Sequence, residues 1–225
     1  MNNVSYLYLA MLLPGFVVMT ACNNPEPQIK AAGLSAQTAG EAQEINVDQR
    51  IEDWPKASKN AAKMMVEKYG QPSDMTSDML IWKNNGPWKR TVLYREEVQH
   101  NFPVKHTDVL EQFIDYKVPI TKFNDLAAYD GSVIAERTKG EISARCDNEH
   151  MNFLAVNLAN DVALGKKTVQ NAREFYAKTA MEFQLGTTSP YTEKLMFEAS
   201  KGNTADPDET MILKGAKEAI EDVVN

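Results

Sequence analysis

The chain has 225 residues, 43% of them hydrophobic and 24% charged, the balance of an ordinary globular domain with a core of its own. A net charge of -7 and a pI near 5.1 argue against a nucleic-acid binder, which needs a basic surface to neutralise phosphates. The same balance argues against a broad cationic face for lipid headgroups.

The first element in chain order is an uncharged leader, MNNVSYLYLAMLLPGFVVMTAC. Its apolar run from Leu7 to Met19 is broken by Pro14 and Gly15, is short for a bilayer span, and ends in small residues before a cysteine. Met19-Thr20-Ala21-Cys22 resembles the bacterial lipobox. The resemblance implies a signal peptide over residues 1–21, removed on maturation, and a thioether-linked diacylglycerol on Cys22. Two or three acyl chains, palmitate among them, then hold the mature chain on a membrane more firmly than one chain does. Asn23 and Asn24 take the place of the aspartate that marks inner-membrane retention, which implies the outer membrane of the bacterial cell envelope. With Cys22 acylated, Cys146 has no partner, so no disulfide is expected and the remaining thiol must be buried to survive oxidation. Residues 22–50 are polar and small, with two prolines, and read as a tether.

An α+β domain is expected over residues 51–200: a small antiparallel sheet of hairpins packed on helices, with an antiparallel helix pair in the C-terminal half. A helix starts at Pro55, with Ala57, Ala61, Met64 and Met65 at helical spacing, and stops at Gly70 before Pro72. Strands at 79–82 and 88–94 flank an Asn-Asn-Gly-Pro turn. Residues 95–108 read as a polar connection holding two of the three histidines. A strand follows at 109–118, with Leu110, Gln112, Ile114, Tyr116 and Val118 on one side. Next come a short helix from Pro119 to Tyr129 and a hairpin over 132–146 that turns at Thr138-Lys139-Gly140. Asp147 or Asn148 caps a helix to Leu164, and Thr168 caps another to Leu185. An edge strand is expected near Thr192–Ser200. Residues 201–225 form a tail with a helix from Pro207.

Five constellations are candidates for function. Trp82, Trp88, Lys89 and Arg90 form either a binding patch for an anionic or aromatic ligand, such as a glycan, or a hairpin tip that buries apolar surface. Cys146 and His150, four apart at a helix start, pair as thiolate and imidazolium or else leave Cys146 as a structural thiol beside Ile142 and Ala144. His100, His106, Asp108 and His150 have no compact metal-ligand spacing, and histidines in a polar connection are expected to be solvated. The carboxylates Glu96, Glu97, Asp125 and Asp130 read as solvated faces. The run Asn152, Asn157, Asn160 and Asp161 is a polar stripe buried against the sheet, a contact surface, or a solvent face of its helix, the last being the expectation.

The helix, Gly70-Gln71-Pro72 and the tryptophan-bearing strands, residues 57–94, are similar to half of the BLIP and SmpA type envelope domains. That implies binding or assembly rather than catalysis. The longer stretch from Trp54 to Phe183, with W-x-N-N-G-P-W-K-R and E-R-T-K-G-E-x-S-A-R-C, resembles an uncharacterised family of exported bacterial proteins, which implies no catalytic residue. The expectation is therefore a lipid-anchored envelope protein that binds or assembles, with an envelope protein or a glycan as partner and no cofactor. The alternatives are a small envelope enzyme using Cys146 and His150, and a metal- or ligand-sensing lipoprotein.

Overall fold

The computed structural model describes residues 46–224, which all fall in one compact unit. The expected signal peptide, Cys22 and most of the tether lie outside the described residues. The fold begins ahead of residue 51. Asn46 caps helix α1 (Val47–Arg50) through a reciprocal box with Gln49, and Val47, Ile51 and Trp54 are buried. Helix α2 (Lys56–Tyr69) follows, burying Ala61, Ala62 and Met65.

Six strands form one antiparallel sheet: β1 (Asp74–Met75), β2 (Met79–Asn85), β3 (Trp88–His100), β4 (His106–Asp115), β5 (Val133–Glu136) and β6 (Glu141–Cys146), in the order β1-β2-β3-β4-β6-β5. A 3-10 turn (Ile120–Lys122) runs into α3 (Phe123–Tyr129) between β4 and β5. After the sheet come α4 (Glu149–Ala163), α5 (Val169–Gln184), α6 (Pro190–Glu193) and α7 (Met211–Val224). The fold is α+β, as expected.

Register places the core. Directly paired residues share a face of a sheet. One row runs Leu80, Leu93, Leu110, Cys146; the next runs Trp82, Thr91, Gln112, Ala144, Val133. Both rows are buried. The core on this face has two parts, one where α1 and α2 residues meet Leu80, Trp82 and Leu93, the other where α3, α4 and α5 residues meet Ile114, Ile142 and Ala144.

Helix α4 is the centre of the molecule: every residue in it except His150 is buried. The expected solvent face of amides is therefore corrected. A helix buried on all sides can keep polar side chains only by pairing them. Asn152 donates to the Leu110 carbonyl at 2.9 Å, and the Tyr116 hydroxyl donates to Asn160 at 2.9 Å. Asn157 donates to the carbonyls of Tyr191 and Lys194 at 3.0 and 2.8 Å and accepts from the Met196 amide at 2.7 Å. Those three bonds occupy backbone groups that an edge strand would use, and residues 192–200 form none. The expected edge strand is replaced by α6 and an irregular segment.

A second correction concerns residues 95–108. They are not a loose connection, because β3 extends to His100 and β4 starts at His106. The pairing resumes past an irregularity between Leu93 and Val98, with Val98 opposite Asp108 and His100 opposite His106.

Candidate functional site

The tryptophan hairpin offers no aromatic surface. Trp82 and Trp88 are 2% and 1% exposed. Trp82 Nε1 donates to the Gly70 carbonyl at 2.9 Å. Trp88 packs on Phe153 with ring centroids 4.8 Å apart and donates to Glu149 Oε1 at 2.6 Å. The cations are also committed. Arg90 makes a two-pronged contact with Glu141 at 2.9 and 2.8 Å over the Phe113 ring, and Lys89 reaches Asp115 and Glu141 at 2.7 and 2.8 Å. The residues expected as a binding patch are thus core and ion pairs; the hairpin buries apolar surface. Burial raises the Glu141 carboxyl, but the bonds from Arg90 and Lys89 outweigh this and bring its pKa to about 2.

The thiol pair is reassigned. His150 Nδ1 lies 3.0 Å from the Thr192 carbonyl, and its ring packs on Phe183. Cys146 Sγ instead lies 3.4 Å from His106 Nε2. Burial, and then the nearby carboxylates of Asp147 and Asp108, push the Cys146 thiol well up, so the protonated form dominates.

His106 belongs to a half-buried polar cluster that strand alternation assembles. Positions 106, 108, 110, 112 and 114 share the core-facing side of β4, because successive side chains point to opposite faces. The hairpin pairing sets His100 beside His106 on that side, and Cys146 joins from β6 opposite Leu110. His106 Nε2 is 3.1 Å from Asp108 Oδ1, and His100 Nδ1 is 3.3 Å from Asp108 Oδ2. The two imidazoles are 4.9 Å apart between centroids. His100 also meets Ser132 Oγ at 3.4 Å and Asp130 Oδ1 at 3.7 Å, both from the segment joining α3 to β5. Asp108 and Asp130 are each 2% exposed. Burial raises the Asp108 carboxyl, yet the two imidazoles beside it prevail and hold it below its ordinary value. Asp130 goes the other way: burial dominates over its bonds from Ser132 and its carboxyl is raised.

Two details define what this cluster can do. The Val104 carbonyl, 2.9 Å from His106 Nδ1, can only accept, so Nδ1 carries a hydrogen. In the neutral ring Nε2 therefore presents a lone pair, towards the space shared by Asp108 Oδ1 and Cys146 Sγ. Asp108 Oδ1 itself is fully buried and accepts no hydrogen bond. Cys146 and Asp108 thus face the same imidazole nitrogen. A nucleophile–base–carboxylate relay needs the acid on the far nitrogen, so the set is a convergence of donors rather than a relay.

A cavity of about 360 Å³ opens beside the cluster, lined by Val104, His106, Cys146, Asp147, Met151 and Phe183 among others. A second cavity of about 350 Å³ lies by Tyr116, Phe123 and Thr204, where Arg137 is already paired with Asp206. Of the other expected candidates, Glu96 and Glu97 are exposed, Asp125 pairs with Lys122 at 2.8 Å, and Asp130 is buried against His100.

Glu149 opens α4 and is buried. It accepts from Lys68 at 2.5 Å, Tyr69 at 2.7 Å, Trp88 at 2.6 Å and Gln112 at 3.2 Å. It joins α2, the sheet and α4 at one carboxylate.

No family model matches the chain, and no curated protein or solved structure matches it.

Proposed function

We propose that the chain is a lipid-anchored cell-envelope protein, fixed to the outer membrane through Cys22, whose domain works by binding a ligand in the cavity beside His106. The lipobox-like Met19–Cys22 stretch and the polar tether support the anchoring. The observation that carries the binding half is the floor of the cavity. Buried Asp108 and Cys146 meet half-buried His100 and His106 there, four ionisable side chains from three strands, and one carboxylate oxygen has no donor. Such an arrangement is costly unless something completes it. Buried titratable groups converging beside an apolar cavity mark a ligand site.

The test is native mass spectrometry of the acylated protein extracted from its own membranes. Wild type is expected to carry diacylglycerol on Cys22 and a mass beyond chain and lipid. Gln184→Trp, on the exposed rim of the cavity, is expected to lower the occupancy of that extra mass. A wild-type mass accounted for by chain and lipid alone would sink the binding reading.

The 3.4 Å approach of Cys146 to His106 favours a second reading, an envelope enzyme with a thiol nucleophile. It replaces the Cys146 and His150 pair expected from spacing. Iodoacetamide decides: the binding reading expects Cys146 to react only after denaturation, and rapid alkylation of the native protein would favour the enzyme.

A further inference from the structure

Resting on the reading that this cavity receives a ligand, we infer that its floor is a binding site for one divalent late first-row transition-metal ion, Zn²⁺ foremost. The donors are His100 Nδ1, His106 Nε2, the Asp108 carboxylate and Cys146 Sγ.

The spacing fits one ion. Around a tetrahedral Zn²⁺, bonds of about 2.0–2.3 Å put neighbouring donors about 3.3–3.6 Å apart. Here the neighbouring separations are 3.1, 3.3 and 3.4 Å, and the His100, His106 and Asp108 donor atoms all lie within 4.8 Å of one another. Cys146 Sγ joins this group through its 3.4 Å approach to His106 Nε2.

The unpaired atom points the same way. Asp108 Oδ1 is buried and close to an imidazole nitrogen, yet without a hydrogen bond. A cation placed among that oxygen, the imidazole nitrogens and the sulfur would satisfy it.

The donor chemistry selects the metal. Two imidazoles and a sulfur suit borderline ions such as Zn²⁺; Ca²⁺ and Mg²⁺ require oxygen cages. Outer partners hold the donors in place. The Val104 carbonyl fixes the His106 tautomer, Asp130 lies behind His100 Nε2, and Asp147 Oδ1 is 3.6 Å from Cys146 Sγ. His106 and Cys146 both line the cavity, which supplies the entry path. On binding, the Cys146 S–H bond breaks and an S–metal bond forms. The sulfur electron pair goes to the ion and the proton leaves to water, with no change of oxidation state.

The experiment is titration of the full acylated chain, metal-stripped and reduced in detergent, with Co²⁺ as a spectroscopic probe and then Zn²⁺. The expected result is one ion per chain and a sulfur-to-cobalt charge-transfer band that disappears in Cys146→Ser. Asp108→Asn and His106→Gln are expected to weaken uptake at least about tenfold. Variants are compared only where circular dichroism shows a folded domain; His100→Asn serves as an alternative should Asp108→Asn fail to fold. An independent readout is a rise of the wild-type melting temperature with added Zn²⁺. Absence of saturable uptake by folded wild type overturns the inference, as does uptake indifferent to all three donor substitutions. If wild type takes up no ion but carries another mass from its membranes that Gln184→Trp lowers, the metal inference fails and the cavity reading stands. If neither is seen, both fail.

Discussion

Glu149 shows how one side chain decides several elements. Its carboxylate is buried, and burial alone would raise its pKa; the bonds from Lys68, Tyr69 and Trp88 overcome this and lower it. Replacing it removes the acceptor shared by α2, the β2–β3 hairpin and β4, and leaves buried donors unpaired. Glu149→Ala, which removes both oxygens, is expected to destabilise the domain by roughly 2–4 kcal/mol, as judged for a half-exposed Lys68 partner. Urea denaturation checks it; a change under about 0.5 kcal/mol, the range of ordinary surface substitutions, would show that the hub contributes little. Nothing in the local sequence marks Glu149, because its partners lie 80 and 61 residues away at Tyr69 and Trp88. The histidines are a different case. His106, Asp108, Leu110, Gln112 and Ile114 share one face of β4, but they mix polar with apolar side chains, so no apolar period marked a strand before 109. The polarity of residues 95–108 reads as loop, whereas in the structure His100 and His106 pair with Asp108 across the β3–β4 hairpin.

At the scale of elements, the helices followed their punctuation. Asn148 and Thr168 cap α4 and α5 through side-chain bonds to the amides of Met151 and Asn171, as their sequence positions predict. Gly70 and Gly165 follow at positive φ of 77° and 70°. The segment after α6 did not follow its sequence pattern, since a buried amide in α4 captures its backbone. The same lesson applies beyond it. Residues near Thr204 cross over the β5–β6 turn, where the Asp206 amide donates to the Arg137 carbonyl at 3.2 Å and Arg137 pairs with Asp206 and Asp208. Gly140 has φ +67°, and a Cβ there would sit 2.1 Å from the Thr204 carbonyl oxygen. Gly140→Ala is therefore expected to dislodge this strap and cost roughly 1–3 kcal/mol. Hydrogen exchange should rise at Asp206 before it rises at Leu110; unchanged protection at Asp206 would show that the strap accommodates the methyl group.

For the molecule as a whole, acid stability is the sum of its buried and paired carboxylates. Asp108, Glu141 and Glu149 all have lowered pKa values, Glu141 at about 2. A carboxyl that is more acidic folded than unfolded stabilises the fold above its unfolded pKa and loses that contribution as pH falls towards its folded pKa. Asp130 is raised and opposes this in part, since protonation relieves its burial. Stability is thus expected to fall from about pH 4.5 towards about pH 2. Glu141→Gln should melt lower at pH 6 and show a shallower decline than wild type; parallel profiles would rule out Glu141 as a source of the slope. Read by itself, the sequence determined the α+β class, the hairpins and the helix pair, because period, caps and turn residues act over a few neighbours. It determined too that the chain is acidic. Only the tertiary structure decided that the tryptophans are core, that Cys146 meets His106 rather than His150, and that two histidines and a buried aspartate converge beside a cavity. Those outcomes depend on cross-strand register and on which helix covers which row of the sheet, and residues 40 positions apart in the chain, such as Cys146 and His106, meet only through that register.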